Sequence, residues 1–121
     1  MKDNQKKLLV RIKERSFIAR IAAWKLKSDN AAIVIGNTIY LYNASCREFL
    51  ENKAWLCHEL KHIQQFRQFG FVPFIFRYLW ESLVHGYRNN KYEKEARASE
   101  KDERLITNMK LLDSGLQDQG I

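Results

Sequence analysis

The stretch from Ser45 to Phe69 contains neither proline nor glycine, and helix-boundary signals stand at both of its ends. Ser45 and Glu48 form a capping-box pattern, in which the two side chains satisfy free backbone amides at the start of a helix. Gly70 follows Phe69, and glycine commonly ends a helix. The sequence therefore predicts one long helix over residues 45–69, against which the other elements must pack.

The N-terminal part of the chain is predicted to contain a helix and a hairpin. Residues 5–27 place apolar side chains at helix-like intervals between charged ones, which predicts a basic amphipathic helix within 1–30. Two runs of β-branched and aromatic residues then flank Gly36 and Asn37. This pattern predicts a β-hairpin over residues 31–43.

The C-terminal part is predicted to be helical. Pro73 is compatible with the first turn of a helix, so two helices are expected within 73–112. One would run to about His85, the other would begin near Lys91, and 113–121 would be a frayed polar tail. The predicted fold class is therefore α+β and mainly helical, with about four helices packed with one β-hairpin.

Composition indicates one globular domain over residues 1–121. The chain has 121 residues, of which 45% are hydrophobic and 29% charged. These fractions are ordinary for a folded protein and exclude a disordered or fibrous chain as the default.

Positive charge is concentrated at the N-terminus. The net charge is +7, and residues 1–27 carry nine Lys or Arg against two acidic residues, which is also +7. One interpretation is that this segment is a solvated helix face. The other is that residues 2–27 contact an anionic surface. We expect no specific nucleic-acid recognition, and the oligomeric state is left open.

Cys46 and Cys57 are predicted to be free thiols. They lie eleven positions apart on one predicted helix, about 16 Å by helical rise, which is too far for a disulfide. The apolar run Phe71–Phe76 is too short to span a membrane. Free thiols suit a reducing compartment, so we expect a cytoplasmic protein. The basic, acid-poor N-terminus fits a bacterial cytoplasmic protein and an organelle transit segment equally well.

The predicted long helix carries the motif H-E-x-x-H at residues 58–62. His58 and His62 are four residues apart, so both imidazoles lie on one helix face and can bind one metal ion. Glu59 is then placed to act on a water molecule as general base. The alternative is a pair of helix histidines with no ligand. The pattern favours a Zn²⁺ site.

A catalytic zinc site needs a third protein ligand. Gln65 and Gln68 stand where the metzincin pattern requires Gly and His, so that class is excluded. Gln65, one turn after His62, either holds the neighbouring loop or is solvated. The candidates for the third ligand are Glu81, His85, Glu93 and Glu95.

The chain resembles the gluzincins, which are zinc metallopeptidases with H-E-x-x-H on one helix and a glutamate ligand on a later one. More narrowly, it is similar to a small bacterial family of minimal gluzincin-like domains, and the resemblance covers Ala32 to Arg97. The segments that carry it are Ile33–Leu41, Trp55–Gln65, Gly70, Tyr78 and Gly86–Arg97. The resemblance implies a minigluzincin-like fold and peptide-bond hydrolysis.

The resemblance also implies Glu93 as the third ligand. Gluzincins often carry this ligand in the pattern E-x-x-A-D, and Ala96 occupies the alanine position. Arg97 stands where the pattern has an aspartate that orients a metal-bound histidine, and arginine cannot accept a hydrogen bond. Glu95, Glu100 or a backbone carbonyl would have to replace it. Glu95 is also the alternative metal ligand.

Several neighbours have both a functional and a structural interpretation. Tyr87 and Tyr92 are candidates to stabilise an oxyanion, or they pack the loop. Glu93 is also compatible with a helix cap at Asn90. The strand Thr38–Tyr42 would offer an edge to an extended peptide, or it only covers the helices.

The sequence thus predicts a zinc metallopeptidase acting on a peptide or protein substrate. His58, His62 and Glu93 would bind Zn²⁺, and Glu59 would be catalytic. The alternative is a metal-binding structural or interaction module without turnover.

Overall fold

The computed structural model describes residues 7–113, which form an α+β structure with six helices and one four-stranded sheet. The strands are β1 (Leu8–Lys13), β2 (Ala31–Ile35), β3 (Thr38–Tyr42) and β4 (Met109–Asp113). The helices are α1 (Phe17–Leu26), α2 (Cys46–Glu51), α3 (Lys53–Phe69), α4 (Phe71–His85), α5 (Lys91–Ala98) and α6 (Arg104–Thr107). No helix within this range is long and apolar enough to cross a membrane.

The sheet has the strand order β2-β3-β1-β4. The hairpin strands β2 and β3 pair antiparallel, with the turn at Gly36 and Asn37, which confirms the predicted hairpin. β1 pairs parallel with β3 on one side and with β4 on the other. Within the described residues, the sheet therefore has β2 and β4 at its edges.

The main core lies between the sheet and α3. Alternate residues of β1 are buried, and the apolar face of α3 packs over them. The buried contacts come from Val10 and Ile12 of β1, Ile39 and Leu41 of β3, and Leu56, Leu60 and Ile63 of α3. This packing fixes α3 on the sheet.

A second core joins α3 to α4 and α5. It contains Phe66, Phe74 and Tyr92, whose rings meet edge to face. α3 is therefore held by the sheet on one side and by α4 and α5 on the other.

The predicted N-terminal helix over residues 1–30 is wrong for most of its length. Residues 8–13 form β1, and the helix α1 begins only at Phe17, with Ser16 as its N-cap. Leu8, Leu9 and Ile12 fit a helical spacing, but burial follows the alternation of a strand. Residues 1–6, which carry part of the basic segment, lie outside the described residues.

Two other predicted helices are corrected. The helix over 45–69 has the predicted capping box, but it divides at Asn52 into α2 and α3, because Asn52 has φ −92° and ψ 89° and caps the second helix. The helix predicted from Lys91 to Leu112 ends at Ala98, because residues 109–113 pair with β1 instead.

Three further predictions concern α4, the tail and the thiols. α4 contains Pro73 in its first turn and ends at His85, as predicted. The predicted tail beyond Asp113 lies outside the described residues. Cys46 and Cys57 are both buried free thiols, as predicted.

Candidate metal centre

His58 and His62 lie one turn apart on the side of α3 that faces away from the sheet. Their ring centroids are 5.2 Å apart. The opposite side of the same helix is buried through Leu56, Leu60 and Ile63. The rotation of α3 about its axis is thereby fixed, and both imidazoles point toward α4 and α5.

Glu93, in the first turn of α5, places its carboxylate against both rings. His58 Nε2 is 3.1 Å from Oε1 of Glu93, and His62 Nε2 is 3.3 Å from Oε2. One candidate ligand atom from each of the three residues lies within 4.8 Å of the others. Two imidazole nitrogens and one carboxylate are a ligand set found in catalytic zinc sites. The structure thus brings together the three predicted ligands.

The start of α5 is positioned by Asn90, which is fully buried. Its side-chain oxygen accepts a hydrogen bond from the backbone amide of Tyr92 at 2.8 Å. Its amide nitrogen donates to the carbonyl of Tyr78 at 3.0 Å and to the hydroxyl of Ser82 at 2.9 Å. One side chain therefore caps α5 and ties it to α4. This fixes the position from which Glu93 reaches the histidines.

Each histidine has a hydrogen-bond partner on its second ring nitrogen. His58 Nδ1 is 2.8 Å from Glu100 Oε2, and His62 Nδ1 is 2.9 Å from Gln65 Oε1. The Gln65 amide nitrogen already donates to the Tyr92 carbonyl and to Glu95 Oε1, so its oxygen is free to accept. Because both partners accept, both Nδ1 atoms carry the proton. A neutral ring then presents an unprotonated Nε2 toward Glu93.

In this arrangement, hydrogen-bond acceptors of the histidines face hydrogen-bond acceptors of Glu93. Two Nε2 lone pairs would face the two oxygens of one carboxylate at 3.1 and 3.3 Å. Such a cluster is stable only with positive charge inside it, supplied by two extra protons or by a metal ion. The donor set therefore fits a cation at the centre of these three residues.

The pKa values of the metal-free residues reflect the protonated alternative. Burial alone would lower the pKa of His58, but hydrogen bonds to Glu93 and Glu100 and the charge of Glu59 raise it to about 9. The pKa of His62 is raised in the same way, although burial opposes the rise. Burial opposes ionisation of Glu93, but its hydrogen bonds with both histidines lower its pKa.

Glu59 is buried beside the cluster but is not part of the ligand set. Burial raises its pKa to about 7, and the nearby histidines only partly offset this. A carboxyl group with a pKa near neutrality both accepts and returns a proton readily. Glu59 therefore has the protonation behaviour that a general acid–base residue needs.

A cavity of about 370 Å³ adjoins these residues. Its polar end contains His58, Glu59, His62 and Glu93, and the rest of its wall is mostly apolar. The apolar wall comes from α1, β2 and α4, and it includes Leu26, Ala32, Ile33, Val34, Ile35, Ile75 and Leu79. The cavity thus joins the candidate metal centre to the edge strand of the sheet.

The tyrosines near the site have different environments. Tyr78 of α4 donates a hydrogen bond from its hydroxyl to Glu93 Oε2. Tyr87 lines the cavity and is 44% exposed, and burial of its hydroxyl with the nearby Glu93 and Glu59 raises its pKa to about 12. It can therefore donate a hydrogen bond into the cavity. Tyr92 lies instead in the second core, which favours its packing role over oxyanion stabilisation.

The other candidate ligands have different partners. Glu95 accepts a hydrogen bond from Gln65, and Glu81 accepts one from the backbone amide of Lys91 at 3.1 Å. His85 is exposed at the end of α4. Arg97, which stands where the gluzincin pattern has an aspartate, donates to the carbonyl of Arg88. Glu100 orients His58 in place of that aspartate. It is one of the three replacements for the aspartate that the sequence analysis left open.

Tyr78 and the role of Gln65 were not predicted from the sequence. Tyr78 was named only among the segments that carry the family resemblance, with no role, although it lies four residues after Phe74 on the inward face of α4. Gln65 lies three residues after His62, a spacing at which helix side chains meet. The sequence spacing could therefore have predicted its contact with that ring.

No protein-family model, no curated protein and no solved structure matches the chain. The likeness to gluzincins therefore remains a prediction from the sequence.

Proposed function

We propose that the protein is a zinc metallopeptidase in which His58, His62 and Glu93 bind Zn²⁺. One observation carries this proposal: candidate ligand atoms of His58, His62 and Glu93 lie within 4.8 Å of one another, and acceptors engage both Nδ1 atoms. Bound zinc would lower the pKa of a coordinated water and polarise a substrate carbonyl.

The residues around the ion would supply proton transfer, orientation of the ligands and stabilisation of the oxyanion. Glu59 accepts a proton from the attacking water and delivers it to the nitrogen of the leaving amine. Glu100 and Gln65 keep the two imidazoles in the tautomer that points Nε2 at the ion. Tyr87 is the exposed tyrosine of the cavity, and its hydroxyl can donate to the oxygen that develops negative charge during attack.

The substrate would be an extended peptide held along β2. β2 is an edge strand of the described sheet, and Ala32 to Ile35 line the cavity that contains the polar cluster. An edge strand offers backbone donors and acceptors to an added strand. The sequence predicted that Thr38–Tyr42 offers this edge. That prediction is wrong, because this strand is β3, which lies between β2 and β1 and has no free edge.

Zinc content of purified variants tests the metal proposal. We expect about one zinc per chain by elemental mass spectrometry, and its loss in His58→Ala and in His62→Ala. The matched control is His85→Ala, since His85 is the third histidine of the chain and is exposed. Wild-type protein without zinc after growth and refolding in its presence would contradict the proposal, as would equal loss in the control.

Turnover is tested separately with Glu59→Gln. This variant should keep zinc and lose hydrolysis of a peptide library by about 10²–10⁴-fold, because Gln cannot take up the proton. Cleavage products are identified by mass spectrometry. Equal cleavage by wild type and Glu59→Gln would contradict the role of Glu59.

A structural metal site is the second candidate function. Hydrogen bonds of Gln65, Tyr78 and Asn90 connect α3, α4 and α5 around the ligands. These bonds favour a structural role, because an ion at this place would also hold α3 to α5. Zinc-loaded protein that unfolds at higher temperature but cleaves no member of the library would support this function over the first.

A further inference from the structure

Two helices that line the cavity have apolar outer faces. On α1, Phe17, Ile21 and Trp24 share the face opposite Ala19 and Ala23, which are buried against the sheet. Trp24 is 79% exposed. A helix that packs on the sheet through two alanines therefore turns its largest apolar side chains toward solvent.

The outer face of α4 is also apolar. Its inner face holds Phe74 and Tyr78, and the residues on the opposite side are all exposed. They are Val72, Phe76, Leu79, Trp80 and Leu83, and Leu83 is 80% exposed. Neither charged side chain near the middle of α4 lies on this face: Arg77 stands over the ring of Phe69, and Glu81 accepts a hydrogen bond from the backbone amide of Lys91.

We call the exposed apolar residues of these two faces the α1–α4 surface, and define it as Phe17, Ile21, Trp24, Val72, Phe76, Leu79, Trp80 and Leu83. Leu26 of α1 and Leu79 of α4 are both exposed and both line the cavity. Leu79 belongs to the α4 part of the surface and joins it to the cavity, whereas Leu26 lies on the other side of α1 from Phe17, Ile21 and Trp24. Clusters of large exposed apolar side chains of this kind mark interaction sites.

The charges beside the surface indicate the chemistry of the partner. Arg20 and Lys25 flank the apolar stripe of α1 and are exposed. Residues 7–27 contain seven Lys or Arg and one acidic residue, Glu14, which gives +6 for this segment. A second copy would bring the same positive charge to the contact. An anionic partner would complement it.

We propose that the α1–α4 surface docks the protein onto the headgroup region of an anionic phospholipid bilayer. An apolar stripe of Trp, Phe and Leu with flanking Lys and Arg is the pattern of helices that lie in a membrane interface. The apolar side chains enter the acyl boundary, and Arg20 and Lys25 pair with lipid phosphates. The α4 wall of the cavity, at Leu79, would then lie beside the bilayer surface.

Vesicle flotation of the full chain tests this proposal. We expect binding to vesicles made of equal parts phosphatidylglycerol and phosphatidylcholine, weaker binding in high salt, and little binding to phosphatidylcholine alone. Because Trp24 and Trp80 are exposed, bound protein should also show a blue shift in tryptophan emission.

Variants separate the apolar and the charge contributions. The pairs Ile21→Ser/Trp24→Ser and Phe76→Ser/Leu83→Ser should each weaken binding by about tenfold or more. Arg20→Glu and Lys25→Glu should each weaken it by about fivefold. The controls are Leu9→Ser, an exposed leucine on the outer side of β1, and Lys110→Glu, on the edge strand β4 far from α1. Circular dichroism and zinc content should be unchanged in every variant, so failure here is distinct from failure of the metal proposal.

Three results would overturn the proposal. The first is no binding to anionic vesicles at low salt, and the second is equal binding to both vesicle types. The third is a dimer in sedimentation that becomes a monomer in the α1 and α4 variants, since this would assign the surface to a second copy of the chain.

Discussion

Glu100 and Gln65 determine which nitrogen of each histidine faces Glu93. Glu100 holds Nδ1 of His58 at 2.8 Å, and Gln65 holds Nδ1 of His62 at 2.9 Å. Without these contacts, either ring could present its protonated nitrogen to the site. In the proposed metal site, these two neighbours would orient the ligands toward the ion.

Replacement of Glu100 tests this role. Glu100→Ala should weaken zinc binding by about 10–100-fold, because the His58 ring loses its orienting partner. A competition titration with a chromophoric chelator measures the change. Glu103→Ala is the matched control, since the Glu103 side chain forms an exposed pair with Lys53 at 3.7 Å and lies outside the histidine cluster. Equal zinc affinity in Glu100→Ala and wild type would show that Glu100 does not orient the ligand.

At the scale of elements, the site depends on how α4 and α5 are joined. Asn90 caps α5 through its side-chain oxygen and bonds α4 through its amide nitrogen. It is fully buried, so a substitution there removes hydrogen bonds from the interior of the protein.

Two substitutions at Asn90 separate these functions. Asn90→Ala removes both, whereas Asn90→Asp keeps the cap but places a carboxylate oxygen against the Tyr78 carbonyl. Both should lower the free energy of unfolding by about 1–3 kcal/mol, measured by urea denaturation. Asn52→Ala removes an exposed cap only and should cost about 1 kcal/mol or less. Wild-type stability for Asn90→Asp would contradict the link to α4.

The elements that could be predicted from the sequence are those with local signals. The Gly36-Asn37 turn, the Ser45–Glu48 capping box and Pro73 all act within a few residues. β1 and β4 were missed because their pairing is parallel and joins residues distant in the chain, such as Leu8 and Met109. Short apolar runs of this kind fit a helix or a strand equally well.

The candidate ligands were predictable to a greater extent than the fold. His58 and His62 are four residues apart on one helix face, so their spacing alone was sufficient to predict that the two imidazoles lie side by side. Glu93 lies on another element and was inferred only from the family resemblance. The contacts of Glu100 and Tyr78 depend on how three helices pack, for which the sequence has no local signal.

At the scale of the whole molecule, the buried charges make stability depend on pH. The pKa of His58 is about 9 in the folded chain against an ordinary value of 6.5, so its contribution is complete below pH 6.5 and is lost as the pH rises through 9. Glu59, with a pKa of about 7 against 4.5, also favours the protonated form and loses its contribution as the pH rises through 7. The lowered pKa of Glu93 acts oppositely, since its contribution is lost only as the pH falls below 4.5.

The metal-free protein should therefore lose thermal stability as the pH rises from about 4.5 to 9, through Glu59 up to pH 7 and through His58 from pH 6.5. Zinc-loaded protein should not, because the ion replaces the protons between the ligands and binds more tightly as they leave. Calorimetry with and without a chelator should show a difference in Tm that widens with pH. His58→Gln removes one titrating group and should flatten the metal-free profile. A difference in Tm that narrows with rising pH would contradict this assignment.

Anomalous X-ray scattering from crystals of the zinc-loaded protein, measured on both sides of the zinc absorption edge, tests the central claim most directly. We predict one strong anomalous peak at about 2.0–2.2 Å from Nε2 of His58, Nε2 of His62 and a carboxylate oxygen of Glu93. A peak at another place, or none there with the two imidazoles turned away from Glu93, would contradict the zinc site and the hydrolysis that depends on it.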